Sequence, residues 1–408
     1  MRQKLTNKQY LTPFILITSL FFLWGFARAV LDVLNKHFQQ TLDISVTQSA
    51  LIQVTTYLGY FLMAIPAGII IRKQGYKRGV LLGLALFAIG AFLFVPGSSI
   101  GTLSAFLVCL FILACGLAIL ETAANPYATE LGPRETSSAR LNLSQSFNGL
   151  GSCLAPALVG GFLFAGGENS DVSIPYIIMG CVVVAIALVF SMSKLPEITS
   201  EDNPAEKAEE VKNPLRQLMK NKLFVLGAGA LLAYEVAEIS INSYFVNFTT
   251  GQGILSAANA SYLLSVALLF FMVGRFIGAW VMQKIPAERV LYYCAVGTVV
   301  GITGVILTSI AEKGETSWTK YIPLAFLLVT YVFEAIMFPT IFSLAVKGLG
   351  NLTKTASSVL MMTPVGGCAF LLVGLVADHF GFVAPFIIPL IGYAVVLIYA
   401  YKKNNLKQ

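Results

Sequence analysis

The sequence predicts an all-α integral membrane protein, with twelve transmembrane helices in two six-helix pseudo-symmetric halves. Three observations carry that prediction. The chain has 408 residues, 57% of them hydrophobic and 12% charged, with a mean hydropathy of +0.78. Soluble domains carry about 25% charged residues, so this chain has too little polar surface to cover two or three soluble domains. Uncharged stretches recur at bilayer length, about 20 residues for a helix. One long polar segment falls in the middle of the chain, leaving six such stretches on either side.

Taken in order, the helices are expected near 13–36, 45–71, 78–96, 102–127, 139–166, 173–193, 221–249, 256–283, 288–311, 320–346, 354–378 and 381–401. The first follows MRQKLTNKQYLTPF and has no small-residue cleavage site, so it reads as a retained helix rather than a removed signal. Residues 79–120 run uncharged for twice the length of a span, and Pro96-Gly97-Ser98-Ser99 predicts a tight hairpin in their middle. Residues 239–274 are also too long for one span, and Gly251-Gln252-Gly253 breaks them. The polar segment, which includes SEDNPAEKAEEVKNP, is a linker with a short surface helix at most. The expected organisation is therefore an N-terminal half at 1–194, a cytoplasmic linker at 195–220 and a C-terminal half at 221–408.

Of the 27 Lys and Arg residues, 22 fall at the termini, in the linker and in the other even-numbered loops. The positive-inside rule puts those regions, both termini included, in the cytoplasm of a multi-pass inner-membrane protein. The net charge of +7 forms no folded basic stripe, so nucleic acid is not an expected partner. The halves also echo each other: Tyr60-Phe61…Gly68 resembles Phe270-Phe271…Gly278. Parallel six-helix repeats are a transporter signature, because rocking one half against the other alternates access to a site. Six cysteines lie in apolar stretches without CxxC or Cys/His spacing, which indicates neither a disulfide framework nor a metal site. Walker A, HExxH and GxSxG motifs are absent, so neither ATP-driven transport nor an enzyme is expected.

Five carboxylates fall within the expected spans: Asp32, Glu121, Glu235, Glu238 and Glu334. Each costs about 2.5–3.5 kcal/mol at the centre of a membrane helix even on the lenient insertion scale, so each is a candidate site residue. Glu235 and Glu238 share a helix face, and pairing with Arg275 is their structural alternative. Glu334 divides between a cation site and a structural role. Arg28 lies one turn before Asp32, where it favours the ionised carboxylate or meets an anionic substrate. Asn142, Gln145 and Asn148 follow helical spacing, with Asn125 on the preceding span and Asn242 and Asn247 on the seventh. Amides both donate and accept, which suits a ligand covered in hydroxyls, and interhelical hydrogen bonding is the structural reading. His37 and His379 read as solvated, Trp280 and Trp318 as interface anchors, and Trp24 is deep enough to leave a ligand role open.

The segments FFLWGFARAVLDVLNKHFQ (21–39), GYFLMAIPAG (59–68), LETAANPYATELGP (120–133), RLNLSQSFNGLG (140–151) and FPTIFSLAVKGLG (338–350) closely resemble the fucose permease family of sugar–cation symporters, a branch of the major facilitator superfamily. The resemblance implies a sugar cavity alternately open to each side. It also implies proton coupling and sugar recognition at Asp32 and Glu121, with amides at Gln145 and Asn148. Arg72 stands where the superfamily's loop between spans two and three usually has Asp, a departure from its gating pattern.

The expected function is proton-coupled import of a monosaccharide, L-fucose first, with the lipid bilayer as its other partner. The substrate-binding set is Arg28, Glu121, Asn125, Asn142, Gln145, Asn148, Glu238 and Asn242, with Asp32 and Glu121 for the proton. Glu235, Glu334 and Arg275 are cation or structural partners. No cofactor or metal is expected beyond the coupling ion, and the chain is expected to act as a monomer. The alternatives are sodium coupling, another sugar (glucose, galactose, mannose, N-acetylglucosamine or an acidic sugar) and a non-transporting sugar receptor.

Overall fold

Hydrocarbon offers no hydrogen-bond partner to a bare amide, so an apolar chain of this kind closes its backbone bonds within helices. In the computed structural model, residues 6, 8–132, 137–165, 171–193, 213–282, 284–311, 318–349 and 352–405 are described. They contain no β-strand and twelve helices long and apolar enough to cross a membrane. Spans 1 to 6 are Lys8–Thr41, Val46–Ile71, Lys73–Ile100, Leu103–Ala128, Leu143–Phe164 and Ser173–Met192. Spans 7 to 12 are Lys222–Gly251, Ala257–Val281, Ala287–Ala311, Trp318–Val346, Thr355–Phe380 and Ala384–Asn405. A short helix, Pro214–Lys220, precedes span 7, and residues 195–212 of the expected linker lie outside the described residues.

One expected turn is displaced. Pro96 and Gly97 do not form the hairpin between spans 3 and 4, because residues Phe94–Ile100 continue as helix. Proline is tolerated there in the first turn, where its missing N–H is not needed. The chain turns instead at Gly101, whose φ of 65° closes the helix in the left-handed region. Thr102 then caps span 4 by accepting from the Ala105 amide. The break between spans 7 and 8 falls where expected, with Gly253 at φ 66° and Ser256 capping span 8.

The chain divides into two units: Met1–Ile44 with Thr55–Lys207, and Ser45–Val54 with Ala208–Gln408. The first turns of span 2 thus group with the second unit, a feature that the contiguous halves expected from sequence do not contain. Asp378, near the end of span 11, accounts for it. Its carboxylate accepts from the Val46 amide at 3.1 Å and the Thr47 amide at 2.9 Å, two donors that the start of a helix leaves without internal partners. Gln53 Nε2 adds a bond to Ser243 Oγ at 3.1 Å.

Two residues read as solvent-facing are buried. His37 is 4% exposed, with its ring near those of Phe38 and Phe164. Arg140, counted among the loop cations, has no exposed surface, and its Nε donates to the Ala128 carbonyl at 3.0 Å. That carbonyl belongs to the last turn of span 4, where a helix leaves acceptors open and favours a cation. Outside the spans, burial pushes the Asp171 carboxyl up, but hydrogen bonds from Ser173 and Ser98 outweigh it and hold the group below the usual carboxylate range.

The Asp378 clasp is testable. Asp378→Ala removes both acceptors and is expected to cost about 1 kcal/mol, the usual size of a lost helix cap. Asp378→Asn keeps one carbonyl oxygen and is expected to cost less. Thermal unfolding of the purified protein in detergent reads the difference, and equal midpoints for all three proteins would contradict it.

Candidate functional site

Small residues let spans 1 and 5 approach closely. A Cβ at Gly25 would overlap the carbonyl of Asn148, so the two backbones touch at that level. Polar rungs run along the same contact. Thr18 and Ser144 hydroxyls lie 3.2 Å apart, Asn148 Nδ2 donates to the Phe21 carbonyl at 3.2 Å, and Ser152 Oγ donates to the Gly25 carbonyl at 3.2 Å. The residues step by three or four on each helix, and both numbers rise together, so the helices run parallel. Asn148, expected in the ligand set, holds this helix pair together with one donor.

Beside this contact the first unit gathers half-buried polar side chains from spans 1, 2, 4 and 5. Trp24 Nε1 donates to the Tyr60 hydroxyl at 2.7 Å, and Arg28 Nε donates to the Tyr57 hydroxyl at 3.3 Å. Glu121 lies within electrostatic reach of Arg28 and Tyr60. Gln145 Nε2 donates to Asn125 Oδ1 at 3.4 Å. Asp32 is half-buried one turn beyond Arg28 on the same helix, and the side chain of Asn142 lies outside the described residues. A guanidinium, a carboxylate, two phenols, an indole and two amides together can donate to and accept from many hydroxyls at once. The indole and phenol rings can also lie against an apolar sugar face.

A second polar cluster lies in the second unit, on spans 7, 8, 10 and 12. Glu235, Glu238 and Glu334 are 3%, 9% and 0% exposed. Asn242 Nδ2 lies 3.5 Å from Glu238 Oε1, and Asn247 is buried further along span 7. Glu334 accepts a short hydrogen bond from the Tyr393 hydroxyl. Span 12 also packs closely on span 7 at Gly392, where a Cβ would stand 2.6 Å from the Ala233 carbonyl oxygen.

Arg275, expected as a partner for span 7 glutamates, has Nε committed elsewhere. It donates to the Ala335 carbonyl at 3.2 Å, with its guanidinium over the Phe271 ring at 4.6 Å. Pro339 explains this bond. It has no N–H to return to the carbonyl four residues back, which is that of Ala335, and the helical hydrogen bonding of span 10 loosens at Ala335 and Ile336. Among the described residues, no three His, Cys, Asp or Glu side chains are grouped so as to hold a metal ion.

Sequence reasoning missed Tyr57, Tyr60, Tyr234 and Tyr393. With 16 tyrosines and 29 phenylalanines in the chain, no single aromatic residue stood out. It also passed over Asp378, the last residue of the expected eleventh span. Trp280 and Trp318 are 57% and 75% exposed, in keeping with their reading as interface anchors, whereas Trp24 belongs to the polar cluster of the first unit.

The profile of the Major Facilitator Superfamily matches residues 17–370. The chain is 35% identical to a protein of Brucella abortus biovar 1 (strain 9-941) named glucose/galactose transporter, over 97% of this chain and 94% of that one. It is 32% identical to the L-fucose-proton symporter of Escherichia coli (strain K12), over 97% of this chain and 93% of that one. Among solved structures, a Major Facilitator Superfamily transporter, FucP, in the outward conformation matches with a TM-score of 0.70 at 32% identity. That match covers 97% of this chain and 99% of the other. The partially occluded inward open xylose transporter XylE from E. coli matches with a TM-score of 0.76 at 11% identity, covering 97% and 99%, a likeness of fold alone.

Gly25→Ala is expected to destabilise the protein by about 1–3 kcal/mol, because the methyl group overlaps backbone that cannot move aside as a side chain would. A lower thermal midpoint in detergent reads this, and an unchanged midpoint would contradict the close approach of spans 1 and 5.

Proposed function

The chain belongs to the Major Facilitator Superfamily, and from that premise we propose that it imports a monosaccharide, L-fucose first, in symport with a proton. It is a membrane transporter and not an enzyme. The observation that carries the sugar reading is the half-buried polar cluster of the first unit, made of Arg28, Glu121, Trp24, Tyr57 and Tyr60, with the Gln145–Asn125 pair one helical turn beyond Glu121 on span 4. Half-buried donors and acceptors of this kind suit a small polyhydroxylated solute better than an apolar one. Relatives named for L-fucose and for glucose/galactose align along nearly the whole chain, which supports the same substrate class. Glucose or galactose is the second reading, favoured by the 35% identity to the relative of that name.

In this reading Glu121 and the amides bind sugar hydroxyls. Asp32 carries the proton, and its neutralisation removes a charge one turn from Arg28, lowering the cost of moving the loaded carrier. Glu121 responds to both, since its charge bears on Arg28 and on the ligand. Glu238 and Asn242, also expected in the substrate-binding set, belong to the polar cluster of the second unit. The Lys and Arg asymmetry supports cytoplasmic termini in a bacterial inner membrane. A single chain supplies both units, so a monomer suffices.

The test is radiolabelled L-fucose, glucose and galactose uptake into proteoliposomes under an inward proton gradient and, separately, an inward sodium gradient. Accumulation driven by protons is expected. Accumulation under sodium alone would replace the coupling ion, and none for any of the sugars would overturn the substrate class. Glu121→Gln is expected to weaken sugar binding about tenfold, the size of one charge-assisted hydrogen bond, without lowering the thermal midpoint. Unchanged concentrative uptake by this variant would contradict the role given to Glu121.

A further inference from the structure

Glu334 sits near the middle of span 10 with no exposed surface. Tyr393 donates to its Oε2. Its Oε1 is buried without a hydrogen-bond partner, and no cation forms an ion pair with it among the described residues. The hydroxyl of Tyr234, also fully buried without a hydrogen-bond partner, lies within electrostatic reach of Glu334, Glu238, Glu235 and Arg275. A lone ionised carboxylate in such surroundings is so costly that the group neutralises instead. Directly after Glu334 the helical hydrogen bonding loosens at Ala335 and Ile336, which keep right-handed helical dihedrals.

We propose that Glu334 is a second proton-binding site of the carrier, lodged in the second unit and separate from Asp32 and Glu121. Tyr393 donates to Oε2, and the bound proton sits on Oε1. The charged and titratable groups around it are Glu235, Glu238 and Tyr234 on span 7, Arg275 on span 8, Tyr331 on span 10 and Tyr393 on span 12. Glu238 lies within electrostatic reach of Glu334. Arg275 is the one nearby cation among them, and its Nε is held by the Ala335 carbonyl that Pro339 leaves open. The proposed ligand is a proton, which needs only the one carboxylate oxygen that Tyr393 leaves open. Glu238 is the most exposed of the three acids. As a coupled site, this inference rests on the proton-symport reading; as a proton site, it does not.

Two measurements separate those parts. Infrared spectroscopy of the purified protein at neutral pH, without sugar or gradient, is expected to show a protonated carboxylic acid band that Glu334→Gln removes and Tyr393→Phe shifts. An unaltered band in Glu334→Gln overturns the site. If that variant fails to fold, the Tyr393→Phe shift decides alone, and its absence overturns the site. In proteoliposomes, Glu334→Gln is expected to retain sugar counterflow within about twofold of the wild type while proton-driven accumulation falls at least fivefold. Accumulation equal to the wild type would overturn coupling at Glu334. If the wild type itself does not accumulate sugar under a proton gradient, the symport reading fails and takes coupling at Glu334 with it, while the infrared band still decides whether the proton is there.

Discussion

Within a bilayer no water stands ready to satisfy a stranded amide or carboxylate, and every polar group in this chain is placed by that scarcity. Pro339 removes one helical donor in span 10, and Arg275 of span 8 supplies a replacement to the Ala335 carbonyl. The Phe21 and Gly25 carbonyls of span 1 take additional donors from Asn148 and Ser152 of span 5. At the end of span 11, Asp378 accepts from the first amides of span 2, tying a piece of the N-terminal sequence to the second unit. In these cross-links a side chain of one helix meets a backbone group of another, so helix packing and hydrogen bonding are set together.

The same scarcity separates the two polar clusters by chemistry. In the first unit Arg28, Glu121, Asn125 and Gln145 are half-buried and bring donors and acceptors of the kind that bind a solute rich in hydroxyls. In the second unit Glu334 has no exposed surface, and its Oε1 is buried without a hydrogen-bond partner. One cluster therefore suits recognition and the other suits storage of charge. A carrier that couples a gradient to a sugar needs both kinds of site, and coupling is strongest when filling one changes the cost of filling the other.

Much of the fold was legible from hydropathy alone, because twelve uncharged stretches of bilayer length leave few other architectures. The turn at Gly101 was not, since Pro96-Gly97 reads as a hairpin unless the tolerance of an early helical proline is weighed. The buried acids were legible one by one, as charges where charge is expensive. Their partners were not: Tyr393 is 59 residues from Glu334, and a tyrosine among so many aromatics carries no mark of its role. Asn148 was legible as an amide on the right helix face, but only its bond to the Phe21 carbonyl shows that it also joins helices. Arg140 read as a loop cation because the carbonyl it meets, that of Ala128, belongs to another helix.

The central claim is that the polar cluster of the first unit is where sugar binds, and Trp24 offers a direct report on it. Trp24 is half-buried against Tyr60, and the other two tryptophans of the chain lie exposed. With Trp280 and Trp318 replaced by Phe, titration of the purified protein with L-fucose, glucose and galactose isolates the Trp24 emission. A saturable change with at least one of these sugars, lost on Glu121→Gln, is the expected result. A Trp24 signal indifferent to every sugar, in a protein that still transports one of them, would put the binding site elsewhere and contradict the account.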